Sequence, residues 1–265
     1  MTWRIDPILW CLPLLLADFS GLPSRADEAA TLRVLSYNIH HGEGVDGRLD
    51  LPRIAAAIRS AKPDLVALQE VDSGTQRTGQ VDQPAELARL TGLKAVFGDN
   101  IPFQGGRYGN AVLSRLTVVR HQNHPLPSMY EGEQRGVLEV EVRMPVTDAR
   151  VLLLATHLDY RPDDRERLAS AKRIDELVAR RASLPALLVG DLNAEPDSST
   201  LDALHATWQP TAPPTAFTFP ATKPIKQIDY VLTCPRQKWR VIEARVLQEP
   251  VASDHSPVLV VLELR

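Results

Sequence analysis

Two short stretches late in the chain, "GDLNAEPDS" and "SDHSPV", bring carboxylates, an amide and an imidazole close together in sequence. Asp191 and Asn193 in the first, and Asp254 and His255 in the second, are groups that move protons, donate hydrogen bonds or hold a hard cation. Adjacent residues on a regular strand point to opposite faces, so Asp254 and His255 serve one site only where the backbone is still turning. Pro257 allows that, because proline is tolerated at the start of a strand; the strand proper is then "VLVVLEL", Val258 to Leu264, with the pair at its rim. Earlier in the chain four apolar runs each end on a residue of the same kind. "RVLSYN" ends at Asn38, "LVALQE" at Glu70, "RVLLLATH" at His157 and "ALLVGD" at Asp191. Strand periodicity adds Asp159 to the side of His157, and Asn193 to that of Asp191. Later the order reverses, with Asp229 ahead of "YVLT" and Asp254–His255 ahead of "VLVVLEL". If the late strands run antiparallel to the four early ones, all these positions meet at one rim.

Taken singly, each position has an ordinary explanation. "GDLN" reads as a turn, Glu70 as a solvated strand end, His157 as a satisfied buried histidine, Asp229 as a partner of Lys226, and Asn38 as an Asx turn before Gly42. Turns alone do not produce a common strand-end register together with a reversal of polarity. A serine triad from Ser253, Asp254 and His255 fails because three consecutive residues cannot form a nucleophile–base–orienter chain. His121 and His124 in "RHQNH" have a spacing zinc ligands use, without a third ligand to match.

The elements that must position these groups follow from periodicity. Ten runs of strand length recur: "LRVLSYN", "LVALQE", "AVFG", "NAVLSR", "VLEVEVRM", "RVLLLATHL", "ALLVGDLN", "DYVLT", "VIEARVL" and "VLVVLEL". "VLEVEVRM" alternates as a strand with one wet face does, whereas "RVLLLATHL" and "ALLVG" read as covered on both faces. "LPRIAAAIRSA" carries an apolar stripe of Leu51, Ile54, Ala55 and Ile58, with Asp50 as cap and Pro52 in the first turn; "RERLASAKRIDELVARRA" repeats the pattern. Too many strands lack an intervening helix for a doubly wound fold. The expectation is an α+β chain of two packed sheets with helices outside.

The chain of 265 residues has a formal net charge of -3 and a pI near 6.2, which gives no global pull towards nucleic acid or an anionic membrane. Cys11 and Cys234 are the only cysteines, too few for a disulfide framework or a Cys-rich zinc site, so a metal takes oxygen or imidazole ligands. Cys234 reads as a small packed hydrophobe. Residues 1–30, with Arg4 ahead of Ile8 to Leu16 and small residues after them, read as a signal peptide or leader too short to span a bilayer; export to the periplasm or medium is the expectation, with a cytoplasmic or N-terminally anchored chain as the alternative. With no repeat, low-complexity tract or linker, residues 31–265 read as one continuous domain; a monomer is expected.

The order "SYNIHHG", "LQEVD", "GNAVLSR", "ATHLD", "GDLNAEPDS", "QIDYVL" and "SDHSPV" resembles the endonuclease/exonuclease/phosphatase superfamily, metal-dependent phosphohydrolases with a fold like that of deoxyribonuclease I. The resemblance spans Leu32 to Leu264 and implies a four-layer α/β/β/α sandwich of two mixed sheets. It also implies hydrolysis of a phosphate ester by an activated water. Glu70 is then the primary Mg²⁺ ligand, with Asn38 and Asp254, and Mn²⁺ able to substitute. Asp191 activates the water and Asn193 holds it or the substrate in register. Asp229 fixes His255 as an imidazolium that donates to a phosphoryl oxygen, and His157 is a second donor or a proton source for the leaving group. Tyr108 and Asn110 shape a substrate pocket, Gly109 letting backbone approach closely. His40 and His41 have no place in the general motif and read as loop residues. The expected substrate is small or lipid-borne; a secreted nuclease and a catalytically silent phospho-ligand or protein binder are the alternatives.

Overall fold

A computed structural model describes residues 1–2, 31–145 and 147–265; the leader segment with Cys11 lies outside the described residues. In chain order the elements are β1 (Thr31–Asn38), α1 (Leu51–Ala61), β2 (Leu65–Ser73), α2 (Gln83–Thr91), β3 (Lys94–Phe103), β4 (Gly106–Ser114), β5 (Thr117–Pro125) and β6 (Gly136–Arg143). They continue with β7 (Arg150–His157), α3 (Arg165–Ala179), β8 (Ala186–Asp191), α4 (Ser199–Leu204), β9 (Gln209–Pro210), β10 (Asp229–Cys234), β11 (Trp239–Val246) and β12 (Val258–Leu264). They form two six-stranded sheets, ordered β11-β12-β1-β2-β4-β3 and β5-β6-β7-β8-β10-β9.

The two sheets follow one plan. Each has a central parallel pair, β1 with β2 and β7 with β8. Antiparallel neighbours flank each pair: β12 and β4 in one sheet, β6 and β10 in the other. The expected reversal of polarity is therefore present, because β10 and β12 start at the edge where β1, β7 and β8 end.

Alternation along the central strands explains the layers. Leu32 and Val34 of β1, Leu153 and Ala155 of β7, Leu187 and Val189 of β8, and Val260 of β12 form the layer between the sheets. The intervening residues face outwards: Leu35 and Tyr37 pack under Ile54 and Ile58 of α1 and Leu87 of α2, and Leu152 and Leu154 pack under Ala171 and Ile174 of α3. This double covering is why "RVLLLATHL" is apolar at both parities. It makes the molecule a four-layer sandwich. Helix α1 begins as read, with the Asp50 carboxylate accepting from Arg53 N at 2.9 Å.

Strand β6 corrects one expectation. Its alternating glutamates do not face water: Glu139 and Glu141 are buried. Arg181, just beyond α3, and His124 of β5 each approach Glu139 at 3.0 Å, and Arg150 donates to Glu141 at 2.9 Å. Two arginines and a histidine from three neighbouring segments cover a face that composition alone reads as wet. Cys234 is half-buried against the layer under α3, consistent with a packing role.

Candidate active site

Asn38, His157 and Asp191 are the last residues of β1, β7 and β8, Asp229 is the first of β10, and Asp254 and His255 stand just before β12. Across three adjacent strands they are direct register neighbours, His157 opposite Asp191 and Asp191 opposite Asp229. Period two continues the row Leu153, Ala155 to His157, and the row Leu187, Val189 to Asp191. The site is thus the polar end of the apolar layer between the sheets, and its groups are buried for that reason: His157, Asp191, Asp229 and His255 are at most 6 % exposed.

Glu70 reaches the same place by breaking the rule. Strict alternation groups it with Val66 and Leu68, which face α1 and α2. The register between β2 and β4 slips between Leu68 and Val71, and Glu70 adopts a left-handed φ of 58°. A bulge of this kind re-aims a side chain, and here it turns the carboxylate into the cavity. Asn193, two residues past the end of β8, also has positive φ, 46°.

The contacts join these groups into one network. The Asn38 amide donates to Glu70 Oε1 at 3.0 Å and to Asp191 Oδ2 at 3.1 Å. Asn193 N donates to Asp191 Oδ1 at 2.9 Å, and its side-chain amide donates to Leu158 O and His157 Nε2, both at 3.0 Å. His255 Nδ1 lies 2.9 Å from Asp229 Oδ2, and its Nε2 lies 3.7 Å from Asp191 Oδ2. Asp254 joins from the edge through the buried Ser253 hydroxyl, 3.4 Å from Asp254 Oδ1 and donating to Asn38 O at 2.7 Å. Lys226 pairs with Glu195 at 3.5 Å, leaving Asp229 to the histidine.

The electrostatics separate the two histidines. Burial alone would push His255 down, but Asp229, with Asp191 and Asp254, raises it to about 10, so it is an imidazolium at neutral pH. Burial, then the charges of Arg135 and His255, hold His157 well below its usual range. A neutral His157 that accepts from Asn193 orients that amide; the expectation that it stores a proton for the leaving group does not fit this environment. Burial, and next the neighbouring charge of Asp229, raise Asp191 to about 7, where a carboxylate takes and returns a proton readily near neutrality.

Glu70, His157, Asp191, Asn193 and His255 line a cavity of about 590 Å³ together with Tyr108, Glu133, Arg135 and Lys226, while Asn38, Asp229 and Asp254 lie outside its lining. Asn110 corrects an expectation: it does not line this cavity, and its amide donates instead to Gly136 O, bridging β4 to the other sheet at 3.1 Å. Asp159 does not join the network either. The strand ends at His157, and the Asp159 carboxylate is taken by Arg161 at 2.7 Å. His121 is exposed on edge strand β5, and His124 is occupied by Glu139.

Reading strand ends missed Glu133 and Arg135, which pair at 2.5 Å beside the cavity. They immediately precede β6, which is antiparallel to β7, so they occupy the same kind of strand-beginning position as Asp229. The rule that found Asp229 applies to them as well.

A profile of the Endonuclease/Exonuclease/phosphatase family matches residues 35–255. The Escherichia coli strain K12 protein YbhP is 30% identical over 173 residues, covering 62% of this chain and 67% of its own. A solved endonuclease/exonuclease/phosphatase from Beutenbergia cavernae superposes with a TM-score of 0.73 at 29% identity, covering 89% of this chain and 72% of that one. A mannosyl-6-phosphatase from Bacteroides thetaiotaomicron shares the fold at 20% identity and a TM-score of 0.72, over 87% of this chain and 99% of its own. With the motifs in order across nearly the whole sandwich, the chain belongs to the Endonuclease/Exonuclease/phosphatase family of metal-dependent phosphoric ester hydrolases.

Proposed function

We propose that the chain is a Mg²⁺-dependent hydrolase of a small or lipid-borne phosphate ester. The observation that carries this reading is the meeting of a carboxylate raised to about 7, Asp191, and an imidazolium, His255, in one buried network at the floor of a cavity. Phosphate ester hydrolysis asks for a base to order the attacking water and for positive charge to meet the phosphoryl oxygens.

The donor set suits a hard divalent cation. Glu70 offers a carboxylate that the Asn38 amide nitrogen steadies, Asn38 Oδ1 accepts from His40 N at 3.0 Å and keeps a second lone pair for an ion, Asp254 adds a carboxylate linked through Ser253, and Glu70 is aimed by a left-handed bulge. Mn²⁺ fits the same donors. When bound, the ion supplies charge stabilisation for the phosphoryl group.

The chain's own residues do the rest. Asp191 takes the proton of the attacking water, and its contacts to Asn38 and to Asn193 N fix the carboxylate for that task. His255, anchored through Nδ1 by Asp229, presents Nε2–H to a phosphoryl oxygen. Neutral His157 holds the Asn193 amide in register. Tyr108, buried beside Glu70, shapes the wall. The cavity lining mixes Arg135 and Lys226 with Glu133 and Glu195, which suits one phosphoryl group on a small polar carrier and is sparse for a polyanionic duplex. The mannosyl-6-phosphatase neighbour supports the same size of substrate.

The test is a screen of phospholipid headgroups, nucleotides, sugar phosphates and plasmid DNA with Mg²⁺, Mn²⁺ or EDTA. Turnover of a small or headgroup ester that EDTA abolishes is the expected result. Turnover that persists without metal, or activity on DNA alone, sinks the reading.

A further inference from the structure

His40 and His41 have no task in the hydrolytic network, yet the fold holds them in an unusual way. They form the tight turn that follows β1, both with φ of 45°, a left-handed conformation rarely taken by consecutive non-glycine residues. The turn is pinned by Gln83, whose amide donates to His41 O at 2.6 Å. The two rings meet edge to face, with centroids 4.5 Å apart. One potential ligand atom from each of His40, His41 and Glu70 lies within 4.8 Å of the others.

The ring partners leave one nitrogen of each histidine free. His40 Nδ1 lies 3.2 Å from Glu43 O, a carbonyl that can only accept, so Nδ1 carries the proton and Nε2 keeps its lone pair. His41 Nε2 lies 3.5 Å from Glu43 Oε2, a carboxylate that favours the tautomer with its proton on Nε2. Its Nδ1 is then an acceptor with no hydrogen-bond partner among the described residues, in a side chain only 11 % exposed. A buried lone pair without a partner is costly unless something fills it. A second ring nitrogen tied to a carbonyl or carboxylate is how metal-ligating imidazoles are oriented.

We infer that His40, His41 and Glu70 form a second cation site, two imidazole nitrogens and one carboxylate, which takes a transition-metal dication such as Zn²⁺ in preference to Mg²⁺. Imidazole suits Zn²⁺ and its neighbours in the first transition row, whereas Mg²⁺ prefers an all-oxygen shell. Two ligands each ~2.1 Å from one ion are at most ~4.2 Å apart, so closing the cluster needs only small side-chain movements. The site shares Glu70 with the oxygen-donor set but does not depend on the chain being a hydrolase, because occupancy is read without substrate.

The experiment uses the metal-stripped full chain. Zn²⁺ is titrated calorimetrically, with and without a Mg²⁺ background, against wild type, His40→Ala, His41→Ala and His124→Ala. One Zn²⁺ per chain that resists Mg²⁺, weakens at least tenfold in each of the first two variants and is unchanged in the third is the expected result. Loss only in His124→Ala, displacement by Mg²⁺, or equal affinity in all four proteins overturns the site. Should either loop variant fail to fold by circular dichroism, pulsed EPR of one equivalent of Cu²⁺ on the wild-type chain in the same Mg²⁺ background decides. Coupling to imidazole nitrogen supports the site and its absence refutes it. A failed screen for hydrolysis alongside a positive titration would refute the catalytic reading alone.

Discussion

Asp191 occupies the middle of three strands, with His157 on one side and Asp229 on the other, and this placement makes its proton the most consequential in the molecule. As a base it must lose that proton, so the rate should rise with pH through about 7; His255 must keep its own, so the rate should fall through about 10. A bell between those limits in kcat/KM is the expected profile, belonging to the coupled set as a whole. Asp229→Asn removes the charge that keeps His255 protonated, so the NMR titration of His255 and the alkaline limb should both move down, with turnover reduced on the order of 100-fold. An unmoved titration in that variant would unpair the two residues. Glu70→Ala should fold with wild-type circular dichroism, weaken Mg²⁺ binding and lower turnover on the order of 100-fold or more. Wild-type Mg²⁺ affinity in that protein would take Glu70 out of the ligand set.

At the scale of elements, precision in the site comes from backbone that few residues can adopt. Gly190 has φ of 151°, and a Cβ there would stand 1.9 Å from Thr156 O on the neighbouring strand. Gly190→Ala should therefore part β7 from β8 at the point where they carry His157 and Asp191, costing ~3 kcal/mol in denaturant unfolding together with most activity. By contrast, Asp50→Ala removes the cap of α1 and an ion pair with Arg53, neither of which joins the site network, and should cost ~1 kcal/mol with turnover unchanged. The strands that carry the site were readable because each is a long apolar run ended by one polar residue, and the reversal at Asp229 and His255 gave their direction. Edge strand β5 was not readable, since "TVVRHQNHP" is mostly exposed and has no apolar face to announce it. Helix α4 is only six residues long, too short to set up a period, and β9 is a two-residue pairing. The bulge at Glu70 was likewise silent: its residue could be named from its strand-end position, but the left-handed turn that aims it depends on pairing with β4.

For the whole molecule, the formal charge of -3 predicts how the enzyme responds to salt. Hydrolysis of a small ester should change little between 50 and 200 mM salt, whereas a duplex-binding nuclease loses affinity by orders of magnitude over roughly that range. A steep fall in rate with salt, measured on plasmid DNA and on a small diester at equal enzyme, would favour the nuclease. The basic stretch around α3 does not argue for nucleic acid, because Arg165 and Arg173 are spent on Asp163 and Glu176. One feature of the topology bears on how this molecule is made. The first strand, β1, takes the last strand, β12, as a neighbour, Thr31 opposite Glu263, while the entire second sheet is threaded between them. During vectorial synthesis β1 can pair with β2 early, but its other edge stays uncovered until β12 emerges. The turn that brings Asp254 and His255 arrives only with that strand. Ribosome-stalled chains ending at residue 246 should be open to protease and inert, because they lack β12 and the turn that carries Asp254 and His255.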